Sequence, residues 1–152
     1  MPLEKRPPPV LAPSRYNIGE YTDCILKPNE VECWRAVYNN EGYADAGYDE
    51  FIEAAKLLAK KNRSTVFCTL GNRGSAVTDG NVAEAVEAVL YKGEIDICGA
   101  GDTSLSAFSA ALAAKADFKT AAEFASLASG VTVRKIGVTG TASPEEIEAL
   151  AK

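Results

Sequence analysis

The sequence predicts an α/β layered domain whose mainly parallel central sheet is flanked by helices. Two patterns carry this. Short β-branched and apolar runs such as Thr65-Val66-Phe67-Cys68-Thr69 alternate with segments whose apolar residues recur at helical spacing. A run of alternating character, Glu94-Ile95-Asp96-Ile97-Cys98, meets a long alanine-rich segment through a small-residue turn, Gly99-Ala100-Gly101. With 152 residues, 47% of them apolar, the chain is long enough and apolar enough for one sizeable core.

The elements follow in order. Residues 1–9 are proline-rich and read as an extended arm, leaving 10–152 as the domain. Val10-Leu11-Ala12 reads as a short buried strand, and residues 24–27 as a second, stopped by Pro28. A helix then starts at Asn29, with Val31, Trp34, Val37 and Tyr38 at helical spacing. Gly42 to Gly47 is a polar loop, and Asp49 can cap the next helix, whose Ile52, Ala55 and Ala59 share a face. The basic cluster Lys60-Lys61-Asn62-Arg63 suits that helix's C-terminal end. Ser64 to Leu70 is a buried strand, Gly71 to Gly74 a turn, and Ser75 to Thr78 a returning strand.

Residues 81–97 are ambiguous, because Val82 to Leu90 also has helical propensity. After Gly101 a helix carries Leu105, Phe108 and Leu112 on one stripe. Thr120 and Glu123 have capping-box spacing before Phe124, Leu127, Ala128 and Val131. Ser143, Pro144 and Glu146 supply a cap, a first-turn proline and a capping acid for the last helix.

The chemistry concentrates at Gly99-Ala100-Gly101-Asp102-Thr103. Small residues let a ligand approach the backbone, and the N-terminus of the following helix offers unpaired N–H groups and a positive dipole end suited to phosphate. Asp102 places a carboxylate at the same point. For binding alone the two negative charges would repel, whereas a carboxylate that removes a proton from an attacking hydroxyl belongs there. Read in isolation, the pentapeptide is equally a tight turn with an acidic first-turn residue. There is no Gly-Lys-Ser/Thr triplet, and Ser104 stands where a dinucleotide-binding glycine pattern needs its third small residue.

Asp96-Ile97-Cys98-Gly99-Ala100-Gly101-Asp102-Thr103 resembles the second signature of the PfkB (ribokinase-like) carbohydrate kinases. Leu26-Lys27-Pro28-Asn29-Glu30-Val31-Glu32 is similar to their Asn-x-x-Glu segment, and Thr69-Leu70-Gly71-Asn72-Arg73-Gly74 to their Thr-Leu-Gly-x-x-Gly turn. Phe124 to Gly137 resembles the helix that covers the nucleotide. The pieces occur in the family's order over about residues 9 to 150. They match the C-terminal half of such a kinase; nothing matches the N-terminal half, which supplies most of the sugar pocket and a small β-lid. Pro13 and Ser14 precede Arg15 where family members often carry an Asp.

The resemblance implies a ribokinase-like fold truncated at its N-terminus, with one or two strands in residues 81–97. It implies ATP-dependent phosphoryl transfer to a sugar hydroxyl, with Asp102 as base and the N–H groups of Gly99, Ala100 and Gly101 as anion hole. Asn29 and Glu32 would hold hydrated Mg²⁺ and the nucleotide phosphates; from the residues alone they are also a capping box. Thr69, Gly71 and Gly74 would line the ribose and phosphates, and Ser126 and Ser129 would meet adenine. Asp96 and the carbonyl of Cys98 would hold a monovalent cation such as K⁺. A nucleoside or small-alcohol kinase, or a non-catalytic nucleotide-binding or interaction domain, shares these motifs.

Composition narrows the partners. A net charge of −5 without a basic stripe argues against nucleic acid. The four cysteines form no Cys-x-x-Cys pair and there is no histidine, which argues against zinc. Cys68 and Cys98 lie in apolar runs and read as buried small hydrophobes. The N-terminus lacks a signal-peptide core, and no apolar run is long enough for a membrane span, so the expectation is a cytoplasmic protein with reduced thiols. Apolar surface left by the missing half would favour a homo-oligomer or pairing with that half.

Overall fold

The computed structural model describes residues 10–13 and 16–152; the proline-rich arm and the Ser14-Arg15 position fall outside the described residues. Five strands form one sheet in the order β1 (Leu11–Ala12), β2 (Ile25–Leu26), β3 (Thr65–Thr69), β4 (Ser75–Thr78) and β5 (Ala83–Val86). β1, β2 and β3 are mutually parallel, with Leu11 opposite Ile25 and Ile25 opposite Thr65. The Gly71 to Gly74 turn then reverses the chain, so β3–β4 and β4–β5 are antiparallel and the sheet is mixed.

Alternation along the strands sorts the core into two layers. Ile25, Phe67, Val77 and Val86 face α3 (Ala100–Ala113), α4 (Phe118–Thr132) and α5 (Pro144–Ala151), where Phe67 stacks on Phe108 with ring centroids 4.2 Å apart. Leu26, Val66 and Cys68 face α1 (Glu30–Tyr38) and α2 (Tyr48–Asn62), meeting Cys33, Phe51 and Leu58. The result is helices on both faces of one sheet, as the alternating pattern predicts.

The helix starts test the capping expectations. At α1, Asn29 Oδ1 accepts from the Glu32 N–H at 2.8 Å and Glu32 Oε2 from the Asn29 N–H at 3.0 Å, a complete capping box. Ser143 caps α5 in the same way, with Pro144 in the first turn. Two expectations are corrected. Gly47, not Asp49, is the N-cap of α2, because the helix begins at Tyr48 and Glu50 reaches back to the Gly47 N–H at 2.6 Å. Asp117, not Thr120, caps α4: it accepts from both the N–H and the hydroxyl of Thr120, and α4 begins at Phe118, whose ring stacks near Phe108.

Two corrections concern residues 87–99. Beyond β5 the chain is irregular, so residues 94–98 are not a strand: they find no neighbouring strand, and Ile97 is 75% exposed. Cys98 is accordingly exposed, while Cys68 is buried as expected. Of the one or two strands anticipated in residues 81–97, one forms. No helix is long and apolar enough to cross a membrane among the described residues.

Candidate active site

The carboxyl ends of the parallel strands converge on one cavity of about 800 Å³. Backbone pairing builds its floor. An isolated parallel bridge joins Asn29 to Thr69, and the Thr69 N–H donates to the Pro28 carbonyl at 3.0 Å, so the start of α1 lies beside the end of β3. Asn29, Glu32, Thr69, Gly71, Gly74, Gly99, Ala100, Gly101, Asp102, Ser126 and Ser129 all line this cavity. Residues spread over a hundred positions of sequence are thus brought to one wall. Its volume falls within the roughly 300–1,000 Å³ range of small-molecule sites.

Gly74 turns at φ +90°, and a Cβ there would stand 2.0 Å from the Val86 carbonyl oxygen; only glycine lets the β3–β4 turn lie against the end of β5. Gly99 takes the left-handed conformation as N-cap of α3, with φ +79° and no side-chain cap bond. The helix therefore begins at Ala100, and Gly101 and Asp102 lie in its first turn. The Ala100 N–H already donates to the Ile97 carbonyl at 3.1 Å. Among the described residues the N–H groups of Gly99, Gly101 and Asp102 make no backbone hydrogen bond, so the donors presented to a ligand are these three. The Asp102 carboxylate is exposed and makes no hydrogen bond among the described residues; it is not spent as a cap.

Ser126 and Ser129 act structurally as well as lining the wall. Ser126 Oγ donates to the Glu87 carbonyl at 3.0 Å, holding the segment after β5 on α4, and Ser129 Oγ donates to the Ala100 carbonyl at 3.3 Å, fixing α4 to the start of α3. Asp96 and Cys98 stand apart, outside the cavity lining. Asp96 accepts from the N–H groups of Cys98 and Gly137, and these bonds hold its carboxyl below the usual aspartate value of 3.8.

The cavity also contains charged residues that the motifs did not single out. Lys27 is buried, and that burial pulls its ammonium below the ordinary value of 10.5 against the attraction of Glu32, Cys68, Asp102 and Glu30. Glu30 sits 3.8 Å from Arg73, whose guanidinium lies over the Phe51 ring at 4.7 Å. The sequence signal for Lys27 was a lone cation between a buried leucine and a proline. No group of three or more His, Cys, Asp or Glu side chains could hold a metal among the described residues, so any metal here must be held largely through water and phosphate oxygens.

Residues 18–146 match the model of the pfkB family carbohydrate kinases. The chain belongs to this family of carbohydrate kinases. It is similar to the bifunctional protein HldE of Shewanella baltica, with 31% identity over 91% of this chain and 29% of that protein, and to HldE of a Nitratiruptor species, with 32% identity over 96% and 30%. The chain thus spans about 30% of the length of these curated relatives. The pfkB-family fold is shared by the ribokinase of Arabidopsis thaliana, solved with ribose and ATP, with a TM-score of 0.80 at 24% identity over 95% of this chain and 47% of that one. It is also shared by phosphofructokinase-2 of Escherichia coli, solved with potassium, with a TM-score of 0.73 at 22% identity over 89% and 43%. The ribokinase-like fold and the family expected from the motifs are therefore established.

Proposed function

We propose that the cavity binds ATP with Mg²⁺ and that residues 10–152 are the nucleotide-binding, C-terminal part of a kinase acting on a hydroxyl of a sugar or sugar derivative. The observation that carries this is the meeting, in one cavity, of three unbonded N–H groups at the α3 N-terminus with a carboxylate free of capping duty. The resemblance and the ATP-bound ribokinase neighbour support it.

The terminal phosphoryl group rests on the N–H groups of Gly99, Gly101 and Asp102, which stabilise charge on its oxygens. As the acceptor oxygen bonds to phosphorus and the bond to ADP breaks, Asp102 takes the hydroxyl proton. Asn29 and Glu32 hold Mg²⁺ through water; the metal, when bound, neutralises phosphate charge. Thr69, Gly71 and Gly74 line the ribose and phosphates, and Ser126 and Ser129 face the base. The Asp96 carboxylate and the Cys98 carbonyl hold a monovalent cation beside the α3 turn, a reading supported by the potassium-bound phosphofructokinase-2 neighbour. The acceptor is positioned mainly by parts of the kinase outside this chain. Positioning supplies about 7–11 kcal/mol in well-oriented reactions, so the chain alone has little or no turnover.

Calorimetric titration with ATP and ADP, with and without Mg²⁺, tests the reading. Weak binding strengthened by Mg²⁺ supports it. Folded protein giving no heat at millimolar nucleotide refutes it.

A further inference from the structure

Lys27 follows β2 directly, between fully buried Leu26 and Pro28, and is itself only 8% exposed. It lines the cavity, and its Nζ lies 4.0 Å from where a Cβ on Gly101 would stand. Among the described residues its ammonium makes no hydrogen bond and no ion pair. The titratable groups facing it are Glu30 and Glu32 from α1, Cys68 from β3 and Asp102 from α3. They attract it without completing its hydrogen bonds. A buried cation without a partner destabilises a fold, and replacing such a charge with an apolar group of similar shape is often neutral or stabilising. The protein's own packing therefore gives no reason for a lysine here. The reason lies across the cavity, at the start of the 14-residue helix α3, where the N–H groups of Gly99, Gly101 and Asp102 are unbonded. An ammonium and a helix N-terminus facing one space leave room for an anion between them.

We infer that Lys27 binds the terminal phosphoryl group from the side opposite the α3 N-terminus and follows it during transfer. The inference rests on the nucleotide reading above and adds a residue to it. The migrating group carries its charge on equatorial oxygens, so donors on one side leave the other side uncompensated. A lysine acts there as a flexible point charge able to follow a group that moves toward the acceptor. Such a contact distinguishes nucleotides by their terminal phosphate, so it serves ATP and not ADP.

The test compares ADP, ATP and ADP with aluminium fluoride, a mimic of the phosphoryl group in transit, all with Mg²⁺, on the wild-type chain and Lys27→Met. Met keeps the stem and removes the charge. The variant should bind ADP within about twofold of wild type, and ATP and the mimic about tenfold or more weakly, as expected for loss of one charge-assisted hydrogen bond. Without ligand it should melt no lower than wild type. On unaltered protein, ATP but not ADP should slow chemical acylation of Lys27; this reading holds even if the variant does not fold. If ADP binds and Lys27→Met keeps the wild-type preference for ATP, or if ATP leaves Lys27 acylation unchanged, the inference falls while the nucleotide reading stands. Equal loss of ADP and ATP also overturns it, since the lysine would then serve the whole site. If wild type binds neither nucleotide, both fall together.

Discussion

Asp96 Oδ2 accepts a hydrogen bond from the Gly137 N–H at 2.9 Å across 41 residues of sequence, while its Oδ1 accepts from the Cys98 N–H at 2.9 Å. The Asp96 N–H donates in turn to the Val133 carbonyl at 2.8 Å. One residue thus clamps the irregular segment entering the Gly99 turn to the chain leaving α4. It does for this segment what a neighbouring strand would otherwise do.

Asp96→Ala should therefore lower the melting temperature at neutral pH and weaken nucleotide binding. The hydrogen bonds depress the Asp96 pKa in the folded state below 3.8. Its stabilisation is present above 3.8 and is lost as pH falls through the lower, folded value. The gap in melting temperature between wild type and variant should shrink on acidification through that window. A gap that is constant or widens would show that the carboxylate's charge does not hold the clamp.

Asp102→Asn separates base from first-turn residue. Asn serves a helix start about as well as Asp. Fold and nucleotide affinity should survive, the latter unchanged or slightly improved as a negative charge leaves the phosphates. In a full-length or reconstituted kinase the rate should fall by about 10²–10⁴. Near-normal turnover would remove Asp102 from the chemistry.

Glu32→Gln distinguishes metal from cap at α1. Glutamine keeps the reach-back to the Asn29 N–H, since Gln occupies this capping-box position as well as Glu. Thermal stability should stay close to wild type, and the strengthening of ATP binding by Mg²⁺ should diminish. If the Mg²⁺ dependence persists in full, Glu32 is a capping residue alone.

Gly74→Ala should be strongly destabilising, because the new Cβ meets the Val86 carbonyl at 2.0 Å and the backbone holds φ +90°. The strained backbone alone costs about 1–3 kcal/mol, before the clash. Chemical denaturation measures the loss. A stability within error of wild type would mean that the β3–β4 turn and the end of β5 are less tightly joined than described.

Thiol labelling of the native chain should modify Cys98 first, since it is exposed, Cys24 is half-buried, and Cys33 and Cys68 are buried. Cys68 is further held as a thiol: its contact with Cys33 and its burial push its pKa well above 9.0. ATP with Mg²⁺ should slow labelling of Cys98, its neighbour Gly99 being at the phosphate turn. Labelling of Cys33 or Cys68 ahead of Cys98 would contradict this packing.

Much of this molecule was legible in the chain because the deciding interactions are local. Asn29 with Glu32, and Ser143 with Pro144 and Glu146, mark helix starts through contacts three residues apart, and those starts are observed. The alternation of Val66, Phe67 and Cys68 assigns each residue to a layer of the core. The small residues around Asp102 indicate a turn that leads a helix toward an anion.

What tertiary structure alone decided is each point where two local solutions compete or a distant partner is required. Asp117 and Thr120 are both acceptable caps, and α4 takes the earlier one, where Phe118 stacks near Phe108. Residues 94–98 alternate like a strand, yet strand formation needs a neighbour to accept its hydrogen bonds, and the sheet ends at β5. Nothing beside Lys27 in sequence says that its ammonium will be buried; that follows from α1, β3 and α3 closing around it. Caps and periodicity act over a single turn of chain, whereas burial and strand pairing depend on segments far apart in sequence, and a local pattern cannot specify them.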